Sequence, residues 1–328
     1  MAECAAQGMN ATRRLVVILG PTASGKSALA IALAQKLDGE VVCCDSTQVY
    51  RHFDIGTGKV PAAQQHGIPQ HMVDLAAPEE LFTAGDYRRR ALETLEAICA
   101  RSKLPILTAG TGLYLRALLE GLADAPARSE DLRERLRRRA SGHGPDYLHR
   151  ILRRLDRESA SRIAARDVHK VIRAIEIRLL SGEPASVIHQ HHRKNGRAGL
   201  EGYRVIKIGL MPPREALYRR IERRVAAMVE SGWLDEVKRL AQHGISPDAK
   251  PFEFLGYSQI RDALAGKMKL DEAVAQIQQA TRRYAKRQVT WFRKEMDVQW
   301  IAGFGDDPAM VEEALRIIAK TPVISHTE

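Results

Sequence analysis

The chain has 328 residues, a formal net charge of +11, 45% hydrophobic residues and 28% charged ones. That composition excludes a disordered chain, and the length suits one large domain carrying an insertion or two modest domains. No apolar run nears the roughly 20 residues that cross a bilayer, residues 1–14 lack a secretory apolar core, and Cys4, Cys43, Cys44 and Cys99 lack metal-ligand spacing, so the reading is a reduced, cytoplasmic protein without membrane or zinc.

In chain order, the apolar run 15–19 predicts a first strand, followed at once by Gly20, Pro21, Thr22, Ala23, Ser24, Gly25, Lys26 and Ser27 and then an Ala/Leu-rich helical stretch. Glycines in such a loop turn backbone N–H groups inward around an anion, the helix N-terminus adds its positive end, Lys26 adds a point charge and Ser27 offers a hydroxyl to Mg²⁺. Residues 41–44, 71–75 and 105–109 read as further strands, with Thr83 as N-cap of a helix over 86–101 and a helical apolar face over 113–119. Alternation of this kind predicts a parallel sheet covered on both faces.

From 121 to 200 the character changes to charged helical segments with eighteen Lys/Arg against ten Asp/Glu, so the positive field is concentrated there. Excess cationic surface attracts phosphate chains. Residues 133–139 also fit a solvated helix face, and 181–200 reads as a flexible return connection. A strand at 203–210 marks the return to the sheet, helices are predicted over 214–230, 233–242, 259–265 and 270–294, and a last short strand over 298–301. Basic residues interleave with Tyr284, Trp291 and Phe292 in 281–294, the latter two rings being expected in the core.

Two strand ends carry candidate chemistry, because ligands of open α/β sheets bind at the carboxyl edge. Asp45 follows the second strand with Ser46, Thr47 and Gln48; its carboxylate suits either a water-mediated Mg²⁺ or a general base. Thr111, in the glycine turn 110–112 after the fourth strand, is a candidate hydroxyl donor at the same edge. The loop alone also fits a phosphate-loop nucleotide kinase or hydrolase, and an RNA-binding module with a purely structural anion site is a further alternative.

Together, segments 20–27, 45–50, 54–59, 71–74, 110–114, 171–176, 255–257 and 281–288 resemble the bacterial tRNA dimethylallyltransferases over nearly the whole chain, with departures at Gln70, Ala109 and Gly58. The resemblance implies a P-loop α/β core over 1–122 and 201–328 interrupted by an all-helical tRNA-binding domain over 123–200. It implies transfer of a dimethylallyl group from dimethylallyl diphosphate to N6 of adenosine 37, in tRNAs reading codons that begin with U, by a monomeric enzyme with Mg²⁺ on Ser27. The diphosphate would lie on the loop with Lys26, Arg220 and Arg224; Asp45 would be the base, with Thr111 near the same nitrogen. The anticodon stem-loop would touch Asp45, Ser46, Thr47, Gln48, Arg133, His169, Lys170, Val171, Ile172, Arg173, Phe254, Gly256, Tyr257, Arg282 and Arg283. Adenylate isopentenyltransferases share the fold and the loop and form the nearest alternative, with less use for a basic insertion.

Overall fold

The computed structural model describes residues 13–144, 146–194 and 200–321; Cys4 and residues 195–199 of the predicted return connection lie outside them. The core begins with strand β1 (Arg13–Leu19), helix α1 (Lys26–Leu37), β2 (Gly39–Cys44), β3 (Gln70–His71), α2 (Ala84–Ala100), β4 (Leu104–Ala109) and α3 (Gly112–Glu120). Helices α4 (Glu130–Ser141), α5 (Tyr147–Leu155), α6 (Arg157–Arg162), α7 (Val168–Ser181) and α8 (Ala185–Lys194) follow. The chain then forms β5 (Tyr203–Leu210), α9 (Arg214–Glu230), α10 (Trp233–Gln242), α11 (Tyr257–Leu264), α12 (Leu270–Phe292), β6 (Val298–Ile301) and α13 (Pro308–Lys320).

The six strands form one sheet in the order β3-β2-β4-β1-β5-β6, and every pairing is parallel. Successive side chains of a strand point to opposite faces, so β1 serves two cores at once. Leu15, Val17 and Leu19 pack with Tyr87, Ala91 and Leu95 of α2 and Leu115 and Leu118 of α3, while Val16 and Ile18 pack with Leu29 and Leu33 of α1 and Ala314 and Ile317 of α13. Burial on both faces is why these strands are near-continuous apolar runs.

The α2 N-terminus carries the predicted cap in reciprocal form, Thr83 Oγ1 accepting from Asp86 N at 3.2 Å and Asp86 Oδ2 accepting from Thr83 N at 3.1 Å. The strand expected over 71–75 is cut to two residues, because Met72 and Asp74 take left-handed backbone angles (φ 65° and 55°) that leave the extended form. The return connection expected over 181–200 is largely α8, whose Ala185 and Ile188 are buried; its His-rich sequence hides a short apolar face.

The described residues form two compact units, 13–119 with 200–321 and 120–194. The second has its own core of Leu136, Leu148, Leu152, Val171, Ile175 and Ile188. Its centre also holds a charge network. Arg133 Nε and Nη2 donate to Glu176 Oε1 and Oε2 at 2.9 and 2.7 Å, Arg173 Nη1 donates to Glu176 Oε2 at 2.7 Å, and Ser129 N donates to Oε1 at 2.7 Å. Glu176 is fully buried, and despite that desolvation the two guanidiniums and the Ser129 amide hold its carboxyl down at about 2.

Candidate active site

β1, β4 and β2 are neighbours in the sheet, which brings the turns at their carboxyl ends together: the glycine loop, Thr111 and Asp45. In the loop, Gly20, Ala23 and Gly25 all have positive φ (152°, 63° and 89°). Such a backbone turns consecutive amides toward one point. The Ser24 hydroxyl is buried within it and has no partner among the described residues.

Lys26 Nζ donates to the loop carbonyls of Gly20 and Pro21 at 3.0 and 2.9 Å. Its pKa is lowered to about 8, mainly by burial, with Asp45 opposing the change and Arg224 contributing to it. Arg224 is likewise pushed below the ordinary arginine range, first by burial and then by neighbouring Arg220. Among the described residues no acceptor or carboxylate is bonded to the Arg224 guanidinium. Two desolvated cations lacking a bonded carboxylate are costly unless an anion arrives to compensate them. Arg220 differs, being held by Asp306 through two hydrogen bonds of 2.7 and 2.9 Å.

Asp45 is oriented by its own turn: Oδ1 accepts from Thr47 N at 2.9 Å and from Thr47 Oγ1 at 2.7 Å. Its other oxygen lies over Gly110, where a Cβ would come within 2.4 Å of Oδ2, so the glycine is what admits the carboxylate. Among the described residues no donor is bonded to Oδ2. Thr111 Oγ1 accepts from Ser46 N at 3.0 Å and donates to Ser46 Oγ at 3.2 Å, tying the ends of β2 and β4 together. Gln288 of α12, unremarked as a site residue in the sequence, joins this turn to the phosphate loop: its Oε1 accepts from Thr22 N at 2.7 Å and its Nε2 donates to Gly110 O at 2.8 Å.

Other expected site residues have different employment. The Gln48 amide is turned inward, donating to Thr57 O and Gly58 O at 3.1 and 3.3 Å and accepting from Cys43 Sγ at 3.0 Å. That leaves Ser46 and Thr47 as the polar side chains of the segment at the strand end. Gly58, one of the departures from the family pattern, has φ 67° and leaves room for Arg224 Nη2, which a Cβ would meet at 2.1 Å. Tyr257, expected against RNA, is fully buried and donates to Glu236 Oε1 at 2.6 Å. Glu236 in turn accepts from Asp54 N and Ile55 N at 3.1 and 2.7 Å, fixing the 54–58 loop. Gly256 (φ 95°) is required because the Trp233 ring lies where a Cβ would stand, 2.0 Å away. Phe254 keeps partial exposure beside Tyr50, their ring centroids 5.5 Å apart.

In the helical unit, Arg133 is buried in the Glu176 network, and Val171 and Ile172 are core residues, so these three side chains are not an RNA surface. His169 and Lys170 are exposed in the first turn of α7, while Arg173 is shared between Glu176 and Pro126 O. On α12, Arg282 donates to Glu222 Oε1 at 2.6 Å, whereas Arg283, Lys286 and Arg287 are exposed one turn apart. Phe292 is core as expected, but Trp291 is 37% exposed with Arg116 4.8 Å above its ring.

A parallel α/β core whose glycine loop, buried cations and oriented carboxylate converge at one sheet edge defines a phosphate-loop enzyme for an anionic substrate. The IPP transferase pattern matches residues 48–295. The chain is 50% identical to the tRNA dimethylallyltransferase of Solibacter usitatus over 93% of this chain and 98% of that one, and 51% identical to that of Koribacter versatilis over 93% and 97%. Among solved structures it is similar to the full-length tRNA isopentenylpyrophosphate transferase of Bacillus halodurans (TM-score 0.68, 37% identity, 94% of this chain and 96% of that one). It is also similar to a eukaryotic dimethylallyltransferase acting on tRNA (TM-score 0.79, 26% identity, 96% and 81%). The chain belongs to the IPP transferase family and is a prenyl-transferring enzyme.

The lowered Lys26 pKa yields an expected pH profile. An anion on the loop stabilises the ammonium, so binding is strongest where free Lys26 is protonated and weakens as pH rises through about 8. We expect kcat/KM for the diphosphate substrate to fall above about pH 8, because that parameter reports the free enzyme. Lys26→Arg should remove this limb; a limb at the same pH in the variant would assign it elsewhere.

Proposed function

We propose that the chain transfers the dimethylallyl group of dimethylallyl diphosphate to N6 of adenosine 37 in tRNAs that read codons beginning with U, acting in the cytoplasm as a monomer with Mg²⁺. The observation that carries the reading is the pairing of two cations that lack a bonded carboxylate, Lys26 and Arg224, with an Asp45 whose orientation is set by Thr47. Such cations serve a leaving group whose charge grows in the transition state. The relatives at 50 and 51% identity carry the name of this activity.

In the reaction the allylic C–O bond breaks toward diphosphate, the N6–C bond forms and the N6 proton passes to Asp45. Loop amides, Lys26, Arg224 and Arg220 bind the diphosphate, and the open Oδ2 of Asp45 takes the proton. Thr111 holds the Ser46 amide beside Asp45 and presents a hydroxyl at the same turn.

Ser27, in the first turn of α1, supplies one hard oxygen ligand, and no cluster of three or more His, Cys, Asp or Glu suited to a metal occurs among the described residues. The Ser27 hydroxyl, a hard oxygen, fits Mg²⁺, which would keep most of its waters and take the remaining ligands from substrate phosphate. When bound it neutralises diphosphate charge.

Adenosine 37 must leave its stack to reach a strand-end site, as base-modifying enzymes require. Phosphate contacts for the RNA are the exposed Arg283, Lys286 and Arg287 of α12 and the basic surface of the helical unit, including His169 and Lys170. Among the described residues no helix is long and apolar enough to cross a membrane. The test is incubation with Mg²⁺, labelled dimethylallyl diphosphate and, in parallel, unmodified tRNA with A36-A37-A38 or free AMP, followed by nucleoside analysis. Label at N6 of tRNA adenosine 37 is the expected result. Label in AMP alone would mean an adenylate isopentenyltransferase, and none in either would favour a phosphate-loop nucleotide hydrolase.

A further inference from the structure

Arg220 stands out among the site cations because it is already gripped. Its Nη1 and Nη2 donate to the two carboxylate oxygens of Asp306 at 2.7 and 2.9 Å, and its guanidinium lies 4.6 Å from the centre of the Phe304 ring. Asp306 and Phe304 belong to the loop between β6 and α13, beyond the residues 48–295 that the family pattern covers. That loop is fastened to the phosphate loop itself. Gly305 N donates to Ser24 O at 2.8 Å. A Cβ on Gly25 would come 2.6 Å from Gly305 N, and one on Gly305 would come 2.4 Å from Gly25 O, so two glycines let the backbones touch. The Arg220 partner is therefore fixed in the frame of the phosphate loop, not on an independent surface segment.

We propose that Asp306 is a positioning residue for the transfer, holding Arg220 at the edge of the phosphate loop so that its remaining N–H groups are ready for diphosphate oxygens. This rests on Arg220 being a diphosphate ligand, as in the function proposed above. A guanidinium has five donors in a planar fork, and the end-on carboxylate, bonded to Nη1 and Nη2, uses two of them. The Phe304 ring beneath the guanidinium adds a cation–π contact that restrains it further. A long, rotamer-rich side chain is thereby ordered during folding and need not be ordered as the leaving group develops its charge. The ion pair also lowers the net positive charge offered to the bound substrate, so its benefit falls on the geometry of departure more than on ground-state affinity.

The experiment compares D306N, D306E, R220A and the D306N/R220A double variant by kcat, KM for dimethylallyl diphosphate and inhibition by inorganic diphosphate. Asparagine keeps the shape of Asp306 and removes its charge. The expected result is about a tenfold or greater loss of kcat in D306N, the scale of a mispositioned group, with KM within about threefold, partial recovery in D306E and no further loss when D306N is added to R220A. A D306N enzyme as fast as the parent, or faster with tighter diphosphate inhibition, would overturn the proposal and make Asp306 a competitor for Arg220. Multiplying losses in the double variant would also overturn it, since Asp306 would then act independently of Arg220. The R220A arm separates the two layers: unchanged kcat and diphosphate inhibition there would remove Arg220 from the diphosphate site and the positioning role with it.

Discussion

Asp45→Ala is expected to lower single-turnover prenyl transfer by roughly a hundredfold or more, the scale of a lost general base, while tRNA affinity stays within about twofold. The geometry separates this effect from a structural one. Asp45 Oδ1 accepts two hydrogen bonds from Thr47, so alanine removes both a base and the support of a turn. Asp45→Asn keeps an acceptor oxygen for Thr47 and abolishes the base. Both variants should therefore be slow. If asparagine instead restores the rate to within about tenfold of the parent, the role of Asp45 is to hold Thr47 and proton removal belongs elsewhere. Removing a carboxylate from beside Lys26 and Arg224 also removes a repulsion toward diphosphate, so affinity for dimethylallyl diphosphate should be unchanged or tighter in either variant. Equal weakening of tRNA binding and catalysis would place Asp45 in RNA contact alone.

Arg133→Ala is expected to destabilise the helical unit by about 3–5 kcal/mol, the usual result of breaking a buried pair and stranding its partner. Glu176, fully buried, would keep only Arg173 and the Ser129 amide. Its carboxyl is depressed from 4.5 to about 2 in the folded chain, so its contribution is fully present above pH 4.5 and is lost as pH falls toward 2. At 1.36 kcal/mol per unit that contribution is about 3 kcal/mol, in line with the mutational figure. Urea unfolding at pH 7 and pH 3 checks both: the gap between parent and variant should be large at pH 7 and narrower at pH 3. A variant of normal stability whose tRNA binding is weaker and less salt-dependent would instead put Arg133 on the RNA-facing surface.

Arg133 illustrates where sequence reading meets its limit. Within 133–139 it is one arginine among five, and helical periodicity alone does not say which of them turns toward the four neighbouring helices. Its partner Glu176 lies 43 residues away. The same holds for Tyr257 and Glu236, Arg220 and Asp306, and Gln288 with Thr22, pairs separated by 21, 86 and 266 residues. No local pattern couples such positions.

Features with local causes were legible. The phosphate loop is read from one octapeptide because its conformation depends on glycines at fixed spacing, and the Thr83 cap is read because its partner is three residues on. The doubly covered parallel sheet follows from short apolar runs alternating with amphipathic ones, since strands buried on both faces must be apolar throughout. The strand order and the inward turn of Gln48, Arg133 and Tyr257 were decided by tertiary structure alone. They depend on which distant groups satisfy a buried charge or amide, and that is settled by packing in three dimensions.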